Sequence, residues 1–216
     1  MKELRGVFFQ NLDKYKNKSL ASTMIINPSP DQPLKLNLGC GSKILPDYIN
    51  VDKYGQPDMQ LDLETFPWPW HDNSVIEIQL IHVLEHLGQY PPTFLQIMQE
   101  IYRICQNGAK IYIKVPHFRS DSFFSDPTHV RAITPVSLEL FCQRLNQEWI
   151  SQGLPFSTLG LNLGVNFELI ETIYKPSYWW FTLYADQAND QELFFQQSAI
   201  YNNLIEEISM TLEVIK

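Results

Sequence analysis

A short apolar run that breaks on two glycines constrains this chain more than any other feature. Leu34-Lys35-Leu36-Asn37-Leu38 reads as a strand, and Gly39-Cys40-Gly41-Ser42 follows at once. Glycine at a strand end lets the backbone turn sharply and approach a ligand with no Cβ in the way. A second strand, Tyr48–Asp52, ends on a carboxylate. Ligands of open α/β sheets bind beyond the carboxyl ends of the strands, which places the glycine turn and Asp52 on one edge. A carboxylate there can accept both hydroxyls of a ribose. Asp62, within Gln60-Leu61-Asp62-Leu63-Glu64, is a further strand-end acid that could accept from an adenine amino group. A GxG alone also serves as a plain structural turn.

The rest of the chain extends the same pattern. Val75–Ile81 reads as a third strand. Residues 90–105 form an amphipathic helix, with Phe94, Met98, Ile101 and Cys105 at helical spacing, stopped by Asn107-Gly108. Lys110–Val115 alternates and ends at Pro116. Strand, turn, helix and strand in this order predict an α/β fold with a mostly parallel, Rossmann-like sheet. Six residues, Ser42 to Asp47, separate Gly41 from the second strand. A parallel crossover normally takes about a dozen or more, so the first crossover helix is expected to be shortened or lost. Residues 117–135 read as a long loop, Pro135–Leu145 as helix and residues 151–165 as loop. Phe167–Lys175 and Tyr178–Ala185 are expected to form an antiparallel edge hairpin, and residues 190–215 a last amphipathic helix. Ahead of the sheet, a helix over residues 3–22 and a breaker stretch, Asn27–Pro33, make residues 1–33 an N-terminal helical arm that is expected to cover an exposed sheet face. Residues 34–216 are the α/β domain.

Composition removes several classes of function. With 16 basic and 24 acidic side chains the formal charge is −8, so a broad basic surface for nucleic acid is not expected. No apolar run approaches the roughly 18 residues of a membrane span, and the opening Met1-Lys2-Glu3-Leu4-Arg5-Gly6 carries no signal core. Cys40, Cys105 and Cys142 are widely spaced and form no CxxC. A disulfide framework is therefore not expected, and a cytoplasmic location is. The oligomeric state is not readable.

A full GxGxxG is absent, since Lys43-Ile44 follow Ser42. That disfavours a dinucleotide, whose pyrophosphate seeks a helix N-terminus, and leaves room for a nucleoside without phosphate. Taken together, Leu36–Gly41, the acid of Asn50-Val51-Asp52, the Asp62-Leu63 pair and Ile81-His82-Val83-Leu84-Glu85-His86-Leu87 resemble class I S-adenosylmethionine-dependent methyltransferases, close to the type 11 group. The resemblance covers roughly residues 34–145. It implies an enzyme that binds S-adenosylmethionine and methylates an oxygen or nitrogen of a small molecule or a glycan precursor. It further implies that Asn37, Leu38, Gly39, Gly41, Asp52, Asp62, Leu63 and His82 form the cofactor site. Gly39 and Gly41 line its methionine part, Asp52 holds the ribose, Asp62 with Leu63 addresses the adenine, and His82 sits beside the methionine. Two rival readings are a nicotinamide-dependent oxidoreductase and a non-catalytic protein with a methyltransferase fold.

Two polar clusters remain. His82-Val83-Leu84-Glu85-His86 matches HxxEH, a pattern that can place two histidines and a carboxylate at a metal. It follows an apolar strand and lacks an evident third ligand, so a turn with His86 in local hydrogen bonds is favoured and no metal is expected. The second cluster runs from His117-Phe118-Arg119 to Asp126-Pro127-Thr128-His129-Val130-Arg131. His129 or His117 could take a proton from an attacking hydroxyl or amine, because imidazole titrates near neutrality. Arg119, Asp126 and Arg131 are candidate substrate contacts, the arginines as anion clamps. A loop stapled by Asp126–Arg131 contacts is the alternative.

Overall fold

The apolar positions of Leu34–Leu38 set the sheet. In a computed structural model, which describes residues 33–216, this segment is strand β1, with Leu36 and Leu38 wholly buried. The helix expected over residues 3–22, and with it the arm, lies outside the described residues. The following strands are β2 (Ile49–Asp52), β3 (Met59–Gln60), β4 (Val75–Ile81) and β5 (Cys105–Pro116). All pair in parallel, and two further strands, of which the inner one runs antiparallel to both its neighbours, complete the order β3-β2-β1-β4-β5-β7-β6. These last strands are β6 (Phe167–Pro176) and β7 (Ile205–Val214). Helix α1 (Pro91–Ile104) links β4 to β5 and buries Phe94, Ile97, Met98, Ile101 and Ile104 in the core formed with the sheet. Among the described residues, no helix is long and apolar enough to cross a membrane.

The link from β1 to β2 contains no helix, as its length predicts. Side chains take over the work. The buried Asn37 amide donates to the Lys43 carbonyl at 2.8 Å and to Asn50 Oδ1 at 2.9 Å. Asn50 Oδ1 also accepts from the Leu45 N–H at 2.8 Å, while its amide donates to Asp58 at 2.7 Å. The short link is thus tied down through groups that burial would otherwise leave unpaired.

The sheet's other face is polar in register. Lys35, Glu77, Lys110 and Glu213 are consecutive partners across β1, β4, β5 and β7. They form a row of alternating charge, with contacts of 3.2 Å for Lys35–Glu77 and 3.1 Å for Lys110–Glu213. The next row is Asn37, Gln79, Tyr112 and Thr211. Opposite charges side by side stabilise neighbouring strands and suit solvent contact.

The C-terminal part differs from expectation. Tyr178 onward is not a strand: Tyr178–Leu183 is helix α6, with Trp180 buried against Phe194, Leu204 and Ile205. The single helix expected over residues 190–215 divides into helix α7 (Gln191–Ile200) and β7. Ile208, Met210, Leu212 and Val214 alternate with polar residues, and this period of two prevails over the helical spacing also present. Asn203, at φ 62°, makes the turn between them. The antiparallel pair is therefore β6 with β7, on an edge that excludes Tyr178–Ala185. Three smaller corrections concern loops. Residues 121–124 form a one-turn helix, α2. Pro135–Leu145 splits into α3 (Pro135–Glu139) and α4 (Gln143–Ser151), and α5 (Leu159–Leu163) lies where loop was expected.

The segment after β3 is pinned to α1 by a partly buried ion pair. Glu100 accepts from the Trp68 N–H at 2.7 Å and pairs with Arg103 at 2.7 Å. Arg103 in turn donates to the Trp68 and Trp70 carbonyls at 3.0 and 2.8 Å. Replacing Glu100 strands these donors, so Glu100→Ala is expected to lose roughly 2–3 kcal/mol in urea unfolding followed by tryptophan fluorescence.

Candidate active site

Where the parallel strands end, a cavity of about 430 Å³ opens. It is lined by the β1 turn (Gly39), the tip of β2 (Asp52, Lys53, Tyr54), the stretch after β3 (Leu61, Asp62, Leu63), the turn after β4 (His82, Val83, His86, Leu87) and Thr128. Five residues picked from the sequence thus share one wall system: Gly39, Asp52, Asp62, Leu63 and His82.

The glycine turn is built by packing and by one carboxylate. Gly39 has φ 67°, and a Cβ there would fall 2.5 Å from Val83 Cγ2, so a side chain is excluded twice over. The Gly41 N–H donates to Asp52 Oδ2 at 2.9 Å, and the Tyr54 N–H donates to Asp52 Oδ1 at 2.9 Å. Each oxygen keeps a lone pair for a ligand. Asp62 accepts from the Glu64 N–H at 3.0 Å and lies 3.8 Å from Lys53. His82 adopts φ 58°, with Nε2 3.0 Å from Glu207 and Nδ1 3.4 Å from Glu85. Glu85, with Glu207 behind it, raises the His82 pKa against the opposing effect of burial.

The remaining choices sit elsewhere. Asn37 is buried in the network beneath the turn, Leu38 is in the core, and Gly41 meets the site through Asp52. None of these three lines the cavity. Arg119 donates to the carbonyls of Ser198, Ala199 and Ile200 and to Asn202, capping the end of α7. That use of its donors, away from the cavity, argues against an anion clamp. Arg131 lies over the Phe94 ring at 4.3 Å and donates to the Gly88 carbonyl at 2.6 Å, also outside the cavity lining. His117 is buried and accepts from the Arg119 N–H at 3.2 Å. Burial first, then the Arg119 charge, pushes its pKa down to about 4, so it is a weak base away from the cavity.

The 126–131 loop reaches the cavity through Thr128, which the sequence alone does not single out. The Val130 and Arg131 N–H groups donate to the Glu85 carbonyl at 2.8 and 3.2 Å, docking the loop on the 3-10 turn Leu84–His86. Asp126 accepts from the Thr128 hydroxyl at 2.6 Å, and Thr128 Oγ1 is 2.9 Å from His86 Nδ1. His129 packs edge-on to His86 with ring centres 4.6 Å apart. Asp126 and His129 therefore support the cavity wall that Thr128 and His86 form. Lys53 and Tyr54 follow Asp52 directly, a placement that could have marked them. The Thr128–His86 pairing spans 42 residues and left no local signal.

His117 supplies a test of this arrangement. An unfolded imidazole takes a proton near ~6.5, whereas folded His117 stays neutral to about 4. The unfolded state binds more protons within that window, so stability is expected to fall as pH drops through it. Urea unfolding between pH 7 and 4 checks this, and His117→Gln is expected to flatten the slope.

Comparison with known proteins returns no matching family model and no matching curated sequence. Among solved structures, a SAM-dependent methyltransferase from Archaeoglobus fulgidus superposes with a TM-score of 0.51 at 16% identity, covering 85% of this chain and 86% of that one. The YcgJ protein from Bacillus subtilis gives 0.48 at 11% identity over 86% of this chain and 93% of that one. A 1,6-didemethyltoxoflavin-N1-methyltransferase from Burkholderia thailandensis gives 0.46 at 11% identity over 86% and 72%. With the first of these likenesses beside the strand order, the chain has the α/β fold of a class I SAM-dependent methyltransferase.

Proposed function

We propose that this protein transfers a methyl group from S-adenosylmethionine to a small molecule or glycan precursor held against His86 and Thr128. The observation that carries the reading is Asp52, its two oxygens each fixed by one backbone N–H at the mouth of the Gly39 turn. The cavity suits such a ligand. Its volume, about 430 Å³, lies within the ~300–1,000 Å³ of small-molecule sites. Asp52 can accept two ribose hydroxyls, Leu61 and Leu63 offer apolar contact to a ring, and Asp62 can accept from an amino group. Asp52 and Asp62 line the cavity with Lys53, and Glu85 and Glu207 flank His82 behind its wall, a balance of charge that favours a cationic guest.

When bound, the sulfonium provides a methyl group already activated toward nucleophiles. The work of the chain is then chiefly positioning and charge. Of the two histidines read as bases, His129 belongs to the wall beside the cavity and His117 does not. The acceptor's attacking oxygen or nitrogen belongs on the His86–Thr128 side, opposite the acids at β2 and β3. The type 11 likeness of the sequence, an oxygen or nitrogen acceptor and a cytoplasmic location are parts of this proposal.

Calorimetry with S-adenosylhomocysteine tests the cofactor site. Wild type is expected to bind, and Asp52→Asn to bind about 10–100-fold more weakly through loss of charge-assisted hydrogen bonds. No binding, or binding indifferent to that substitution, would sink the ribose assignment. Tight NADH binding in its place would point to an oxidoreductase. A radiolabelled methyl-transfer screen over hydroxyl- and amine-bearing metabolites then separates an enzyme from a binding protein.

A further inference from the structure

Glu85 is the anomaly of this site. Its side chain is wholly buried, yet among the described residues neither carboxylate oxygen accepts a hydrogen bond. It has an ion-pair contact with His82 Nδ1 at 3.4 Å. A buried carboxylate without hydrogen bonds is costly, and natural structures compensate such groups by pairing or by a metal ion. One ligand-type atom each from Glu85, His86 and His129 lies within 4.8 Å of the others.

The histidines are prepared for the same purpose. His129 Nδ1 is 2.7 Å from the Phe123 carbonyl, which can only accept, so Nδ1 carries a proton and in the neutral ring Nε2 holds the lone pair, with Asp126 Oδ2 4.0 Å away. The Thr128 hydroxyl donates to Asp126 at 2.6 Å and therefore accepts from His86 Nδ1 at 2.9 Å. In the neutral ring the lone pair of His86 then lies on Nε2 as well. Fixing one ring nitrogen by an outer acceptor, so that the other is free to ligate, is how proteins orient metal-binding imidazoles. Main-chain bonds from Val130 and Arg131 to the Glu85 carbonyl hold the segment bearing His129 against the turn bearing the other two.

We infer that Glu85, His86 and His129 form a binding site for one divalent first-row transition metal ion, zinc foremost, on the wall of the cavity. Two imidazoles and a carboxylate suit zinc and its neighbours better than magnesium or calcium. Ligand distances of about 2.0–2.2 Å would draw the three donors together around the ion. Three protein ligands leave open positions, and His86 lines the cavity that receives the acceptor. An oxygen of the acceptor can occupy such a position and be held for methylation. This role rests on the methyl-transfer reading above, whereas metal binding itself does not. His129 is accordingly a ligand, and the ion, not the imidazole, meets the acceptor.

The test uses the full chain, free of affinity tags, stripped with chelator and titrated with Zn²⁺ by calorimetry. Metal content is read by mass spectrometry. Wild type is expected to take up one equivalent, and Glu85→Gln, His86→Ala and His129→Ala each to weaken it at least tenfold. Thr128→Val, which removes only the outer acceptor of His86, is expected to weaken it about 10-fold and to shift the visible spectrum of a Co²⁺-loaded sample. Circular dichroism identifies any variant that fails to fold, and Thr128→Val and Glu85→Gln then decide. No stoichiometric metal in wild type, or unchanged affinity in folded Glu85→Gln and His129→Ala, overturns the site. Titrating S-adenosylhomocysteine into the same samples separates the two claims. Uptake of the nucleoside without metal overturns this inference alone. Uptake of metal without the nucleoside overturns the methyl-transfer reading and leaves the metal site standing.

Discussion

The arrangement of the cavity depends on how a ten-residue connection from β1 to β2 is held without a helix. Asn37 and Asn50, both buried, bind each other and the backbone of the link, and Asp58 anchors Asn50 from beyond β2. Ordinary crossovers bury an apolar helix face to hold this turn. Here side-chain amides supply the fixation. Above that network, Asp52 grips the Gly41 N–H, so the carboxylate at the tip of β2 and the glycine bend form one piece. Burial amplifies the effect, since polar groups shielded from water are costly when unpaired and directional when paired.

The two faces of the sheet differ sharply in composition. A face meant for a helix is apolar, but one of the two presents Lys35, Glu77, Lys110 and Glu213 in a single row. The opposite face, with Leu36, Ile78, Ile111 and Leu212 in register, meets the core. Clean alternation along β5, with Ala109, Ile111, Ile113 and Val115 buried, records this asymmetry directly. Among the described residues, such alternation marks a sheet that packs its core on one face.

What the sequence makes legible follows the range of the interactions. The strands β1 and β4 and the helix α1 are visible because propensity, period and breakers agree locally. Gly39, Asp52, Asp62, Leu63 and His82 are visible because strand ends define the binding edge of this fold. Arg119 and His117 mislead for the opposite reason. Their chemistry suits a site, but tertiary placement commits Arg119 to the α7 carbonyls and buries His117. The C-terminal strand misleads through double periodicity, since Ile205, Ile208 and Leu212 also fit a helix. Thr128 and His86 lie 42 residues apart, so their pairing becomes evident only once the loop is seen docked on the Glu85 carbonyl.

The excursion between β6 and β7 is closed at its neck. The Ser177 N–H reaches the Leu204 carbonyl at 2.9 Å, and Ser177 Oγ donates to the Asn203 carbonyl. Everything from α6 through α7 hangs from that clasp with its own small core around Trp180. The appendage also rests on the two strands, through Ile205 of β7 and through Tyr174 of β6, whose ring lies 5.6 Å from Phe195. Arg119, by gripping the last turn of α7, and Asp121, whose N–H donates to Asn203 Oδ1 at 2.6 Å, join the appendage to the segment leading toward Thr128. A peripheral appendage is in this way tied to the loop that lends Thr128 to the cavity.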